Sequence, residues 1–461
     1  MVAGLGVGEV LQQHLSKCQG TKDGMSHFPA TREAALARWA EFIEIAPRYG
    51  AERNRVVPGH PFVSRLSGAL RQRVVLETEL IDSLLARHRF DTVAKLVQEL
   101  VWRGYWKAWL ERRPTVWTDW CDARDIARRQ LDARALQRLA QLEAGECDVA
   151  VMNHFARELV STGYLHNHAR MWFASYWVHV ARLPWELGAD FFLRHLLDGD
   201  AASNTLSWRW VAGLHTAGKR YFVRRSNLVR YCDPSLLQDA AGLELLDDSR
   251  IASLEATLPA PAVAHPPPCS MDDDVSDVHG IGGLPQDTSR RIGLWLHDED
   301  GCLEHSPLSA LKPVAAVAIR AMPGVGIFAS GAPRQRFADA ARADAAARLQ
   351  AHFGSRGPFE VEHSQPEQGL VLALAGFARK RDLAVIVGMH PAAGPLADQL
   401  PAVQVALAEA GVELRLARRA TDTRFLAAAA GGFFNYWSRV ERVLRRGSQL
   451  DFSSESGDDC T

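Results

Sequence analysis

From Thr31 the chain reads T-R-E-A-A-L-A-R-W-A-E-F-I. Apolar positions recur every three or four residues, which predicts an amphipathic helix with Leu36, Trp39, Phe42 and Ile43 inward. The same period runs through Val97–Tyr105, through Arg124–Ala144, and through Leu159, Met171, Phe173, Trp177, Val180 and Leu183. Beyond residue 290 the pattern changes. The segments I-G-L-W-L, V-A-A-V-A-I, L-A-V-I-V-G and V-E-L-R-L are short apolar runs separated by Ala-rich helical stretches. That alternation predicts a parallel α/β sheet. The expected architecture is therefore α + α/β: an all-helical domain followed by a Rossmann-like parallel α/β domain.

The boundary between the two styles is punctuated by P-A-P-A-V-A-H-P-P-P, then D-D-D, then G-I-G-G. Pro-rich, acidic and Gly-rich pieces in series read as a linker, and few contacts are expected across it. The expected divisions are an N-terminal extension (1–27), a helical domain (28–257), the linker (258–290), the α/β domain (291–447) and a disordered polar tail (448–461). The run G-V-G-I-F-A-S-G lacks the full G-x-G-x-x-G spacing of a nucleotide loop.

Composition narrows the class. In 461 residues, 47% are hydrophobic and 23% charged, as in a soluble globular protein. The sequence has no apolar run of the roughly 18 to 20 residues that span a bilayer. Its start lacks the basic-then-apolar pattern of a signal peptide, and a cytoplasmic location is expected; a monomer is expected as well. The seven cysteines (Cys18, Cys121, Cys147, Cys232, Cys269, Cys302, Cys460) form no C-x-x-C pair, so neither a metal nor a disulfide framework is expected. The net charge is −1, but Lys219–Arg230 carries Lys219, Arg220, Arg224, Arg225 and Arg230 without an acid. Lys107, Arg112 and Arg113 follow Arg103 in a second basic run. Most charge runs are solvated faces; these two flank the polar cluster below and suit a phosphate track.

The apolar helical stretch from Asn153 to Asn227 contains groups that a core should not hold: Asn167, Arg170, Asp198, Asp200 and Asn204. Buried charges cost several kcal/mol unless paired, so such groups satisfy each other or meet a polar ligand. Any one of them reads as an ordinary cap or core hydrogen bond. Together they point to a site.

Three motifs here, T-G-Y-L-H-N-H-A-R-M, D-G-D-A-A-S-N and W-R-W, resemble the flavin-binding domain of the photolyase/cryptochrome family in order and nearly in spacing. The resemblance implies FAD folded into a U, with blue light exciting the reduced flavin. It implies an Arg170–Asp198 ion pair beside the isoalloxazine, Asp200 at the ring edge, Asn204 near N5 and Asn167 in the same pocket. F-V-S-R-L-S-G-A-L resembles the family's T-S-x-L-S, which opens a helix under the pyrophosphate and implies contacts from Ser64, Arg65, Leu66 and Ser67. Val63 departs from the family's Thr. Tyr49 matches an upstream phosphate-contact tyrosine if the loop has gained two residues. V-Q-E-L-V-W-R-G-Y resembles N-E-L-x-W-R-E-F-Y, which implies Glu99 on the damaged pyrimidine, Trp102 as a lesion-pocket wall and Arg103 on the flavin. Without the other motifs, Glu99 and Arg103 would read as an i, i+4 surface pair beside a core Trp.

The resemblance also implies an electron relay through Trp208 and then Trp185, with Trp210 packing against a flipped base. The outer relay position, near Asp132, holds no aromatic; Trp117, Trp120, Tyr176 and Trp177 are the substitutes the sequence offers. In the α/β part, I-G-L-W-L-H…C-L-E-H-S-P-L-S-A-L and F-F-N-Y-W resemble the opening and close of the family's antenna domain, in permuted order. A folate or deazaflavin antenna goes with that domain in the family.

The activity implied is that of a deoxyribodipyrimidine photolyase-like lyase: light-driven electron transfer to a flipped dimer in UV-damaged DNA, single- or double-stranded. Glu99, Trp102, Asn167, Met171 and Trp210 suit cyclobutane dimers, because the (6-4) branch carries histidines at Asn167 and Met171. His168 departs from a common DNA-contacting arginine. The alternatives are a cryptochrome-type blue-light receptor without repair and a light-independent flavoprotein.

Overall fold

The computed structural model describes residues 28–259, 263, 265–269, 290–320, 330–364 and 368–445. The N-terminal extension, most of the linker, most of the Gly-rich run at 324–331 and the polar tail lie outside the described residues.

The first half is helical. Its elements are α1 (Arg32–Ile43), α2 (Ser67–Arg71), α3 (Glu77–Arg87), α4 (Phe90–Glu111), α5 (Thr115–Gln130), α6 (Ala133–Ala144), α7 (Ala150–Thr162), α8 (Asn167–Ser175), α9 (Trp185–His195), α10 (Ala201–Ala212), α11 (Arg225–Tyr231) and α12 (Asp248–Thr257). Local chemistry sets the ends. Thr31 caps α1, accepting from the Ala34 amide at 3.3 Å, and the Asp200 carboxylate caps α10, accepting from Ser203 N at 2.7 Å. The inward face of α1 is Ala35, Trp39, Phe42 and Ile43. Leu36, expected inward, stands exposed at 37%, and Ala35 takes the buried position at that turn.

The second half is an α/β layer structure. Strands β1 (Ile292–His297), β2 (Ala315–Ile319), β3 (Val361–His363), β4 (Val385–Met389) and β5 (Glu413–Ala417) form one sheet in the order β3-β2-β1-β4-β5, with every pair parallel. The helices between them are α13 (Ala332–Gly354), α14 (Leu370–Arg381) and α15 (Leu400–Glu409). Strand alternation sorts β1 between the faces: Ile292, Leu294 and Leu296 meet Leu349 and Phe353 of α13, while Trp295 meets the core of α14 and α15. The sheet reverses its winding between β1 and β4, the point at which open α/β sheets present a crevice at their carboxyl ends. Here those ends face the helical domain.

After β5 come α16 (Ala420–Ala428) and α17 (Phe433–Arg445). Leu426, Phe433, Tyr436, Trp437, Val440 and Leu444 share one hydrophobic core with the first half. The Tyr105 hydroxyl donates to Gly431 O at 2.6 Å, and Phe425 closes onto Gly104, where an added Cβ would meet its ring at 2.6 Å. Ion pairs also cross, Arg71–Glu299 at 3.1 Å and Arg73–Asp300 at 3.1 Å, and the Arg32 backbone amide donates to Asp344 at 3.0 Å. The Pro-rich linker predicted few contacts across the boundary. The structure reverses that expectation, because the last two helices return to pack on α4.

Candidate functional site

The polar residues singled out by sequence converge where α2, α4, α8 and the turn Asp198–Gly199–Asp200 meet. Arg170, one turn into α8, grips Asp198: Nη1 donates to Oδ2 at 3.0 Å and Nη2 lies 3.0 Å from Oδ1. Arg170 is aimed by its Nε, which donates to Leu165 O at 2.8 Å. Burial pushes the Asp198 carboxyl up, but Arg170 and Arg103, with a hydrogen bond from Ser67, outweigh it and hold it below its ordinary value. Asp198 is thus a buried anion.

Asp200 spends one oxygen on its helix cap. Its Oδ2 is buried without a hydrogen-bond partner among the described residues, and the nearest cation is Arg103 Nη2 at 3.8 Å. Arg103 Nε and Nη2 are likewise without hydrogen bonds, 3.9 Å or 3.8 Å from the nearest carboxylates. Ser203 Oγ and Thr205 Oγ1 complete a set of unsatisfied buried atoms along the start of α10. Native interiors leave few such groups. Donors and acceptors here face each other at distances too long to bond, which fits a polar ligand with both kinds of edge.

Other expected contacts differ. Asn204 is buried, but its Nδ2 donates to Ala189 O at 2.7 Å, so the amide's donor is spent on α9. The T-S-x-L-S-like segment does not open a helix at Ser64. Helix α2 starts at Ser67, runs only to Arg71, and has no side-chain cap. Ser64 instead makes a local turn, accepting from Leu66 N at 3.3 Å, and Arg65 takes a left-handed φ of 61°. A five-residue helix has little macrodipole, so Ser67 serves this site through its hydroxyl on Asp198.

The lesion-pocket residues are spread over two surfaces. Glu99 meets Arg53 at 2.6 Å and Lys95 at 3.0 Å. Tyr49 joins that cluster through Arg53, with burial pushing its phenol up to about 12. Arg53 has no signal in the sequence; it belongs to no motif and comes from another loop. Asn167 is exposed in the first turn of α8, with Met171 half-buried one turn on. Trp102 packs on Phe433 of α17, ring centroids 3.7 Å apart, and the exposed Phe434 meets its edge at 5.9 Å. Trp210 stacks on Tyr221 at 5.6 Å. His168 lies in the core on Trp172, centroids 4.3 Å apart. Burial lowers its pKa.

Trp208 is buried with its ring at 6.0 Å from Trp177 and 5.0 Å from Phe192. Trp185 opens α9, half-buried. Among the outer-relay substitutes, Trp177 is in ring contact with Trp208, and Trp117 and Trp120 pack on each other at 4.9 Å. Asp132 is a helix cap, accepting from Ala135 N at 2.7 Å, which accounts for its lack of an aromatic ring. A small crevice opens beside the polar cluster rather than on it, between α4 and the carboxyl ends of β1, β4 and β5. Arg73, Lys107, Glu111, Glu299, His390 and Arg418 line it. Among the described residues no helix is long and apolar enough to cross a membrane.

Residues 96–238 match the sequence profile of the FAD binding domain of DNA photolyase. The deoxyribodipyrimidine photo-lyase of Escherichia coli K12 is 30% identical over 210 residues, covering 43% of this chain and 42% of that protein. One from Thermus thermophilus is 36% identical over 197 residues, covering 41% of this chain and 44% of that protein. A class III photolyase structure from Agrobacterium tumefaciens superposes with a TM-score of 0.39 at 21% identity, covering 51% of this chain and 53% of that one. The matched region spans less than half the length of these curated relatives. By these matches, residues 96–238 are similar to the FAD binding domain of DNA photolyase.

Proposed function

We propose that this chain binds FAD at the Arg103–Arg170–Asp198–Asp200 cluster and is a light-driven photolyase acting on cyclobutane pyrimidine dimers in UV-damaged DNA. The observation that carries the reading is the set of unsatisfied buried donors and acceptors on Arg103, Asp200, Ser203 and Thr205 beside the Arg170–Asp198 ion pair. The residues that would hold the cofactor are Arg103, Arg170, Asp198, Asp200 and Asn204, with Ser64, Arg65, Leu66, Ser67, Tyr49 and Asn167 at its outer parts. Bound FAD supplies the light absorption and the transferable electron. Arg170 and Asp198 supply a fixed dipole that need not reorganise. Trp208 donates an electron inward, Trp210 offers a stacking face to an extruded base, and Glu99 accepts a hydrogen bond from the damaged pyrimidine.

A second reading, a blue-light receptor without repair, draws on one observation: Phe433 already occupies a face of Trp102. One experiment separates them. The purified, photoreduced protein is mixed with UV-treated single- and double-stranded DNA, and dimers are counted in light and dark. Light-dependent loss is expected. A protein that takes up FAD and photoreduces but removes no dimers supports the receptor. A colourless protein that takes up no FAD ends both readings.

A further inference from the structure

Arg334 is the most unusual charge in the molecule. It lies in the first turn of α13, 6% exposed, at the positive end of a 23-residue helix. Burial alone disfavours its charge, and so does the helix terminus. Arg71 adds like-charge repulsion; the desolvation and this repulsion lower its pKa to about 9, against the pull of Asp198, Asp298 and Asp200.

Its bonds say what it does. Nη1 donates to Leu193 O and Nη2 donates to Gly199 O at 2.8 Å. Leu193 is in the last turn of α9, and Gly199 is the middle of the Asp198–Gly199–Asp200 turn. Arg71 Nε donates to the same Gly199 carbonyl at 3.3 Å, and its Nη2 continues to Glu299 of the α/β domain at 3.1 Å. A side chain at 199 would put its Cβ 2.5 Å from Arg334 Nη1, so only glycine admits the guanidinium. The ligand-facing side of this turn carries two carboxylates and its back carries two guanidiniums. One of those comes from the α/β domain.

Resting on the FAD reading above, we infer that Arg334 is a positioning residue of the flavin site: it clamps the Asp198–Gly199–Asp200 turn, so the site is complete only with the C-terminal α/β domain seated. This gives that domain a task that needs no antenna pigment. The guanidinium's planar fork bonds two carbonyls at once and its charge offsets the paired carboxylates.

The test compares wild type, Arg334→Gln and Arg334→Lys as full chains. FAD affinity is read by titrating the apoprotein, the reduction potential of bound FAD by dye equilibration, and folding by circular dichroism. Arg334→Gln should weaken FAD binding at least tenfold and shift the potential to more negative values, because a positive charge behind the site is lost. Arg334→Lys keeps the charge but not the fork, and should weaken binding while leaving the potential near wild type. If Arg334→Gln does not fold, Arg334→Lys alone carries the test through that split. Wild-type affinity and potential in whichever variants fold overturn the inference while the FAD reading stands. A wild type that binds no FAD overturns both.

Discussion

Asp200 and Asp300 are both buried carboxylates beside arginines, and they are used in opposite ways. Asp300 accepts from Arg419 Nη2 at 2.7 Å, Arg419 Nε at 3.0 Å, Arg73 Nη1 at 3.1 Å and Cys302 N at 3.3 Å. Each of its oxygens has two donors. Asp200 has one bonded oxygen and one that faces Arg103 across 3.8 Å. The first arrangement is finished: it joins the two halves of the chain and has no room for a ligand. The second is unfinished, and the polar atoms it leaves open are what mark it as a site.

The largest expected effect breaks the comparison at its first member. A chain truncated at Leu258 loses Asp300, Asp422, Arg334 and the α17 aromatics at once. It removes the partners that the C-terminal half gives to Arg71, Arg73, Tyr105 and Trp102. Circular dichroism and gel filtration should show a destabilised or aggregated product without bound FAD. A well-folded, FAD-binding fragment would mean that the crossing contacts contribute little.

Single substitutions sharpen it. Asp300→Ala takes from Arg419 its bonded carboxylate and leaves Arg73 with Asp422 alone, and should cost about 3–5 kcal/mol of stability. Asp198→Ala strands Arg170, and its main readout should be loss of FAD binding. Asp300 has the clearer pH signature. Burial raises its pKa, but Arg419 and Arg73 hold it far below the ordinary value. A depressed carboxyl contributes stability that is present above the unfolded value, about 3.9, and is lost as pH falls toward the folded one. The stability gap between wild type and Asp300→Asn should therefore be flat above about pH 5 and narrow below it. Chemical denaturation at several pH values checks this; a gap that widens with acid would contradict it.

The two carboxylates also differ in how legible they are. Asp198, Asp200 and Arg170 stand in contiguous motifs, so the helical stretch that holds them can be read as a site from composition and order. The alternation of short apolar runs is enough for the parallel sheet. Arg334 is not legible: it reaches Gly199 across 135 positions, and one arginine in an Ala-rich helix carries no local signal. The same holds for Phe433 on Trp102 and Arg53 on Glu99. The short reach of α2 is hidden for another reason, since Ser64 and Ser67 suit a cap in sequence and only the left-handed Arg65 decides where the helix begins.

Trp208 and Trp210 extend the comparison to the aromatic residues. Trp208 is enclosed by Trp177 and Phe192; Trp210 is half-buried, with Tyr221 on one side. Trp208→Phe should block light-driven reduction of FAD in the presence of an external reductant, yet spare repair once FAD is reduced chemically. Trp210→Ala should do the reverse and lower DNA affinity by about 1–3 kcal/mol, roughly ten- to hundredfold. Absorbance under illumination and a DNA-binding titration read the two separately.

The smallest effect on stability should come with a measurable effect on function. Glu99 pairs with Arg53 and Lys95, but its side chain is 30% exposed and Lys95 is 39% exposed. Screened pairs of this kind contribute about 0–1 kcal/mol, so Glu99→Gln should leave the unfolding midpoint nearly unchanged. The substitution keeps the shape and one acceptor oxygen but removes the charge that holds Arg53 and Lys95 in place. Photoreduction, which runs through Trp208, should be untouched. Repair yield per absorbed photon should fall more than DNA affinity, because the group acts on the damaged base after it is bound. If affinity falls as far as yield, Glu99 works only by keeping Arg53 and Lys95 on the DNA. If neither moves, the Glu99 cluster is as finished as that of Asp300, and its place is with the structure rather than the site.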